Sequence, residues 1–200
     1  MVMKRYISLY VLALLLMSSP IAAQTSSIQT EVQTLLETRD QQIKQLLGVE
    51  GSKYSDQQRS QLKDIVNGII DFDAMAKTAL ESTYDTISVE TREEFIRLFS
   101  SIIRDQSLAN LDIYRAVITY ETISGSFDST YVQTIAVWDN IRTPVHYKMK
   151  KESGEWKITD MSIDDVFTAE SYNRQFQRII ASRGFNYLMD TLRKRAERNS

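Results

Sequence analysis

Through the first half of the chain, apolar residues recur every three or four positions, which is the period of an amphipathic helix. The apolar stripes predict four helices, and they run over residues 28–47, 62–70, 72–80 and 95–114. Gly48 and Gly51 close the first helix, and the segment SDQQ, Ser55–Gln58, is a capping box that starts the second. Ser88 or Thr91 is expected to cap the long fourth helix.

In the second half the period changes to strict alternation, and β-branched residues and tyrosine become frequent, as in strands. Four such runs, joined by short turns, predict a four-stranded antiparallel meander. The runs are RAVITYETI, YVQTIAVWD, RTPVHYKMKK and WKITDMSI. The third run has an apolar and a polar face, formed by Val145, Tyr147 and Met149 and by His146, Lys148 and Lys150, respectively.

The stretch ESYNRQFQRIIASRGFNYLMDTLRKR, residues 170–195, carries two more helical stripes on either side of Gly184, which fits a helix C-cap. The order of helices, sheet and helices predicts an α+β domain. An antiparallel sheet with one wet face needs cover on its other face. We therefore expect the C-terminal helices to pack on the sheet.

The start of the chain predicts export. Two basic residues precede a mostly apolar run over residues 6–17, which has the length of a signal-peptide core and is too short to span a bilayer. Pro20 is expected to end this helix, and small residues precede a cleavage position after Ala23. Residues 1–23 are thus predicted to be a cleaved signal peptide and residues 24–200 a single domain; the alternative is an uncleaved membrane anchor.

Composition excludes several classes of protein. The chain is 42% apolar, enough for a core, and its net charge of −2 lacks the basic excess of a nucleic-acid-binding protein. It contains no cysteine, which excludes disulfides, thiol nucleophiles and thiolate metal sites.

The candidate catalytic residues have ordinary explanations. His146 is the only histidine, and it alternates with lysines far from any G-x-S-x-G elbow, so we expect a surface residue whose replacement leaves function intact. Asp160, Asp164 and Asp165, with Glu155, could hold a hard cation or form an acid/base pair. The spacing of a calcium loop is absent, however, and acids before a helix commonly cap its N-terminus, so capping or a solvated surface is expected.

Four stretches carry a pattern of recognisable order and spacing: IIDFDAMAKTAL with SVETREEFIRLF, VITYETI with the next strand, GEWKITDMSID, and SYNRQF with ASRGFNYLMDTL. Together they resemble the MlaC-type periplasmic phospholipid-binding family, also known as the toluene-tolerance or ABC-transport auxiliary component family. The matching positions include Asp71, Phe72, Gly154, Trp156, Asp160, Tyr172, Gln175, Phe176 and Gly184.

The resemblance implies a soluble periplasmic carrier that shuttles phospholipid between the outer membrane and an inner-membrane ABC transporter, and so maintains outer-membrane lipid asymmetry. The implied partners are a MlaD-type subunit of that transporter and an outer-membrane lipoprotein–porin complex of the MlaA type. The implied ligand is phospholipid, with no metal, cofactor or nucleic acid. We expect a monomer without enzymatic activity.

The resemblance also implies that the acyl tails lie in an apolar cavity between sheet and helices. The residues predicted to line this cavity are Phe72, Met75, Phe99, Ile103, Tyr114, Val145, Tyr147, Met149, Phe167, Tyr172 and Phe176. Arg174, Arg178 and Arg183 could attract phosphate at its mouth, or could form a solvated helix face.

Two other classes of function remain open at the level of sequence. One is a small exported enzyme on a cone-shaped α+β fold, with Asp160 or Asp165 acting as a base in an apolar pocket. The other is an exported adaptor with a full core and no ligand.

Overall fold

The computed structural model describes residues 20–51, 53–109 and 111–199. The apolar run of the predicted signal peptide lies outside these residues. The predicted cleavage position after Ala23 falls within the first helix, in which side chains are described from Ser27 onward. The helices are α1 (Pro20–Leu47), α2 (Asp56–Ile69), α3 (Phe72–Leu80), α4 (Ser82–Thr86), α5 (Val89–Ala109), a 3-10 helix η1 (Leu111–Arg115), α6 (Thr168–Arg183) and α7 (Phe185–Asn199).

The helix boundaries follow the capping signals of the sequence. Ser55 and Gln58 form the predicted capping box at the start of α2. The Asp71 side chain accepts a hydrogen bond from the Ala74 N–H at the start of α3, at 2.9 Å. The Ser88 hydroxyl accepts from the Thr91 N–H at 3.2 Å, so Ser88 caps α5. Each cap satisfies an N–H group that has no partner inside its helix.

The sheet is an antiparallel meander in the order β1-β2-β3-β4-β5. The strands are β1 (Val117–Gly125), β2 (Ser129–Trp138), β3 (Ile141–Glu152), β4 (Glu155–Ile163) and β5 (Val166–Phe167). The predicted α+β class is confirmed, but the predicted number of strands was one too small. Asp164 and Asp165 both have positive φ, which suits a two-residue hairpin turn and lets the short β5 fold back on β4.

Both outer long strands contain a β-bulge. Glu121 in β1 and Thr159 in β4 have no partner in the neighbouring strand. Each bulge shifts the alternation by one residue, as an extra residue in a strand must. Consequently Met161 lies on the same sheet face as Ile158, although three positions separate them.

Three clusters of buried apolar side chains form the core. The helical cluster joins α3–α7 around Phe95, Phe99 and Phe176. The sheet cluster joins α1 and the end of α2 to one sheet face, around Val132 and Met149. The corner cluster joins α1, α2 and η1, and its buried members are Ile43, Leu47, Leu62, Val66 and Leu111. Ile70, between α2 and α3, contacts all three clusters.

The cover of the sheet differs from the prediction. The helices α1 and α2 cover its apolar face, whereas α6 and α7 belong to the helical cluster, which contains no strand residue. Only the N-terminal part of α6 approaches the strands β4 and β5. The apolar stripes of α6 and α7 instead pack against those of α3 and α5.

Candidate functional site

The apolar face of the sheet, which carries Val132 and Met149, continues beyond the helices that cover it. The pairing of the strands places the apolar side chains of this face in one continuous surface, which runs from the β1–β2 turn to the β2–β3 turn. Near the β2–β3 turn this surface is uncovered: Ile141, Ile163 and Val166 are 46–65% exposed. We call this part the open strip, which consists of Ile118, Ala136, Trp138, Ile141, Ile163 and Val166.

The helices approach the sheet most closely at its sides. The helix α1 runs along β1, and α2, α3 and α6 approach β4. Among the described elements, no helix comes as close to the middle strands β2 and β3, and α5 packs chiefly on α2, α3 and α7. The helix α1 on one side and α2 and α3 on the other therefore form an arch over the apolar face of the middle strands, and the open strip lies at one end of that arch. The helix α6 instead meets β4 at the polar face, where Glu170 pairs with Lys148.

Three tyrosines lie under the arch, beside the border between the covered face and the open strip. Tyr120 and Tyr147 are half-buried and pack against the sheet cluster, and Tyr114 of η1 packs against the corner cluster. Burial raises the pKa of Tyr147 to about 12, and it also raises the pKa values of Tyr114 and Tyr120. All three phenols are therefore protonated hydrogen-bond donors at neutral pH.

The Tyr120 hydroxyl has no hydrogen bond among the residues that the structure describes. This hydroxyl is not fully buried, so part of its surface remains accessible. A desolvated phenol that still faces accessible space can donate to an acceptor on a bound molecule. The arch thus combines apolar walls with a free donor, as is typical of ligand sites.

Comparison with known proteins identifies the family. The model of the MlaC protein family matches residues 37–194. The chain belongs to the MlaC family. A solved structure of the phospholipid-binding protein from Ralstonia solanacearum, in complex with a phospholipid, superposes with a TM-score of 0.68. The two chains are 19% identical, and the match covers 88% of this chain and 98% of that one, which shows a shared fold. No curated protein sequence matches the chain.

Within this MlaC-family fold, the predicted lining residues fall into separate groups. Val145, Tyr147 and Met149 lie on the apolar sheet face, and Tyr114 lies in the corner cluster. The remaining helical residues lie in or against the helical cluster; they are Phe72, Met75, Phe99, Ile103, Tyr172 and Phe176. Their rings pack closely: the Phe99 and Tyr172 centroids are 5.1 Å apart and the Phe99 and Phe176 centroids 5.8 Å apart. The structure thus places this group in a packed core layer.

Phe167 lies on the opposite face of the sheet from Tyr147. It pairs with Ser162, and the Lys148 ammonium lies 4.0 Å from the centre of its ring. That ammonium also forms an ion pair with Glu170 at 2.5 Å.

The predicted lining set does not include the open strip or the two residues next to the bulges, Tyr120 and Met161. The sequence does contain a sign of the bulge in β4, because the alternation of apolar residues is shifted by one position there. The apolar positions Trp156 and Ile158 are two apart, and Met161 and Ile163 are two apart, but the two pairs are separated by three.

The position of His146 contradicts the prediction of a surface residue. The side chain is buried, with 8% of the residue exposed. Its Nδ1 lies 2.9 Å from the Tyr131 hydroxyl and 3.6 Å from an Asp165 carboxylate oxygen. The reason is the unpredicted β5, since the β4–β5 hairpin brings Asp165 and Phe167 beside this part of the polar face.

We therefore expect His146→Ala to lower the free energy of unfolding by about 1–3 kcal/mol, because it leaves the Tyr131 hydroxyl without its partner. The lipid bound per folded molecule should not change, since His146 lies on the sheet face opposite the arch. Urea unfolding and lipid analysis of the folded fraction measure the two effects separately. A stable variant that loses its ligand would contradict this assignment.

Asp160 has the capping role that the sequence indicated. Its Oδ1 accepts hydrogen bonds from the N–H groups of Met161 and Ala169, each at 2.9 Å, which anchors the start of α6 to β4. Burial raises the pKa of the Asp160 carboxyl, although these N–H groups and Lys148 oppose the shift. Asp160 is 3% exposed, and its Oδ2 has no hydrogen-bond partner among the described residues. Asp164 and Asp165 are exposed in the turn.

Two clefts lie outside the open strip. One, of about 430 Å³, includes Tyr131, Lys148 and Lys150 of the polar sheet face. The other, of about 400 Å³, lies between α3 and α6 and places Arg174 with Glu81 and Glu170. Arg174, Arg178 and Arg183 are all exposed on α6, and Arg178 and Arg183 bond within α6 or to Tyr187 of α7.

Within the described ranges, 20–51, 53–109 and 111–199, no helix has the length and apolar character needed to cross a membrane. The same ranges contain no group of three or more histidine and acidic side chains that could hold a metal ion.

Proposed function

We propose that this protein binds a phospholipid with its acyl tails over the middle strands, under the helical arch, and its head group beside the open strip. The observation that carries the proposal is the arch itself. Apolar side chains of β2 and β3 lie beneath helices that approach only the sides of the sheet. Family membership and the lipid-bound neighbour of the same fold support it.

The energetics favour a site of this kind. A phospholipid has roughly thirty CH₂ groups, and each costs about 0.8 kcal/mol to expose to water. A lipid that crosses an aqueous space therefore needs an apolar environment with few unpaired polar groups. The sheet cluster provides apolar walls, and the Tyr120 phenol provides a donor for an ester oxygen where the tails end.

We further propose that the protein is a monomeric periplasmic carrier without enzymatic activity. It would move phospholipid between an outer-membrane MlaA-type complex and a MlaD-type subunit of an inner-membrane ABC transporter, and so maintain lipid asymmetry. The exposed open strip supports this role. Its apolar side chains would be covered when a membrane-bound partner docks there and receives the lipid.

Organic extraction of the native protein tests the proposal. The full-length chain is expressed in a double-membraned host, purified from the periplasmic fraction and weighed intact; residues 24–200 are the expected product. We expect the extract to contain phospholipid at close to one molecule per chain, measured by mass spectrometry and lipid phosphorus. Protein without phospholipid would refute lipid binding, and a chain that keeps residues 1–23 would refute the soluble carrier.

A further inference from the structure

The inward-facing stripe of α1 is interrupted by charge where two core clusters meet. Val32 and Leu36 belong to the sheet cluster, and Ile43 and Leu47 belong to the corner cluster. Asp40 follows Leu36 by one turn and precedes Ile43 by another, so it lies on the same side of the helix. An apolar residue would be expected at this position if it faced only core.

Asp40 forms a local ion pair beside the arch. Its carboxylate lies 2.7 Å from the Lys44 ammonium, and both side chains are about one-third exposed. Glu37 and Arg39 are the neighbouring charged residues of α1; Glu37 accepts from Gln33, and Arg39 donates to Gln42. Residues 37–44 thus carry two acidic and two basic side chains, with no net charge.

The phenols under the arch lie near this ion pair. Tyr120 and Tyr147 pack against the cluster that contains Leu36, one helical turn from Asp40. Burial is the main cause of their raised pKa values; the negative charge of Glu37 adds to the shift of Tyr120, and that of Asp40 adds to both shifts. Asp40 therefore lies close enough to act on the space in which Tyr120 retains accessible surface.

If the tails lie under the arch, the polar part of the lipid meets α1 at this ion pair. We propose that Asp40 and Lys44 select the head group, favouring a zwitterionic phospholipid with an ammonium group over an anionic phospholipid. This inference rests on the proposed lipid binding. Lys44 faces the phosphate and Asp40 the ammonium. An anionic phospholipid also presents its phosphate to Lys44, but it has no ammonium group. The negative charge of Asp40 is then left without a cation.

Competition between two lipids tests the selection. The delipidated mature chain is incubated with vesicles of equal phosphatidylethanolamine and phosphatidylglycerol, separated from them and extracted. Wild type should carry more phosphatidylethanolamine. Asp40→Asn should shift the bound ratio toward phosphatidylglycerol by about two- to fivefold, the range expected for a partly exposed charge pair. Lys44→Gln should shift it the opposite way.

Glu50→Gln is the matched control, because Glu50 is an exposed acid in the loop after α1. It should leave the ratio unchanged. Total lipid phosphorus per chain is measured alongside and reports lipid binding itself. Normal total lipid with the same ratio in wild type and all three variants would overturn the selection alone. An absence of lipid in wild type would overturn both the selection and the carrier function.

Discussion

Phe176→Asp should unfold the protein under conditions in which the wild type is folded. Phe176 is 4% exposed, and its ring contacts Phe95, Phe99 and Tyr172 at centroid distances of 5.3–5.8 Å. Loss of the ring alone costs about 3–5 kcal/mol, and an unpaired buried carboxylate adds several more. A domain has a total stability of only about 5–15 kcal/mol. Circular dichroism during urea unfolding measures the loss.

Gln175→Asp provides the control for this substitution. It introduces the same side chain one position earlier in α6, at an exposed site, and should leave the unfolding midpoint nearly unchanged. Phe176→Asp therefore tests which layer of the fold contains Phe176. A variant that folds normally and loses only phospholipid would place Phe176 in the wall of the lipid site.

Local signals in the sequence predict the elements of this fold well. Ser55 has the capping hydrogen bond that the sequence predicts, and Ser88, one of the two candidates for the start of the long helix, has one as well. A cap depends on residues within one turn, and a strand face depends on alternate residues, so both can be read from a short segment. The class and the order of elements follow from these short-range rules.

Partners between layers are harder to predict. The stripes of α6 and α7 show which side of each helix is buried, but the same stripe fits a sheet or a second helix. Only the structure shows that Tyr172 and Phe176 pack on Phe99. The predicted lining set therefore combined residues of the arch with residues of the helical cluster.

Short irregular elements account for the remaining differences. The strand β5 has two residues, too few to show a period, yet its hairpin with β4 brings Asp165 beside the buried His146. The bulge at Thr159 moves Met161 to the apolar face and Asp160 to the polar face, where Asp160 caps α6. Irregularities of this kind depend on contacts between strands, which a single segment does not record.

Tyr147→Trp should yield a folded protein that co-purifies with much less phospholipid. Tyr147 is half-buried on the middle strand β3, on the sheet face that lies under the arch. A larger indole fills part of the space under the arch without adding charge. Overpacking typically costs about 1–3 kcal/mol, so the lipid load in competition with vesicles should fall by about fivefold or more. Mass spectrometry of an organic extract measures it.

Met149→Trp separates a filled lipid site from an overpacked core. Met149 is on the same face of the same strand, but it is 1% exposed and enclosed by the sheet cluster. The indole must therefore displace packed side chains, and the free energy of unfolding should fall by about 1–3 kcal/mol. Its lipid load per folded molecule should change less than that of Tyr147→Trp, because the added volume lies in core that is already full. If Tyr147→Trp keeps its full load of phospholipid while Met149→Trp loses it, the tails lie over the covered part of the sheet and not beneath the arch.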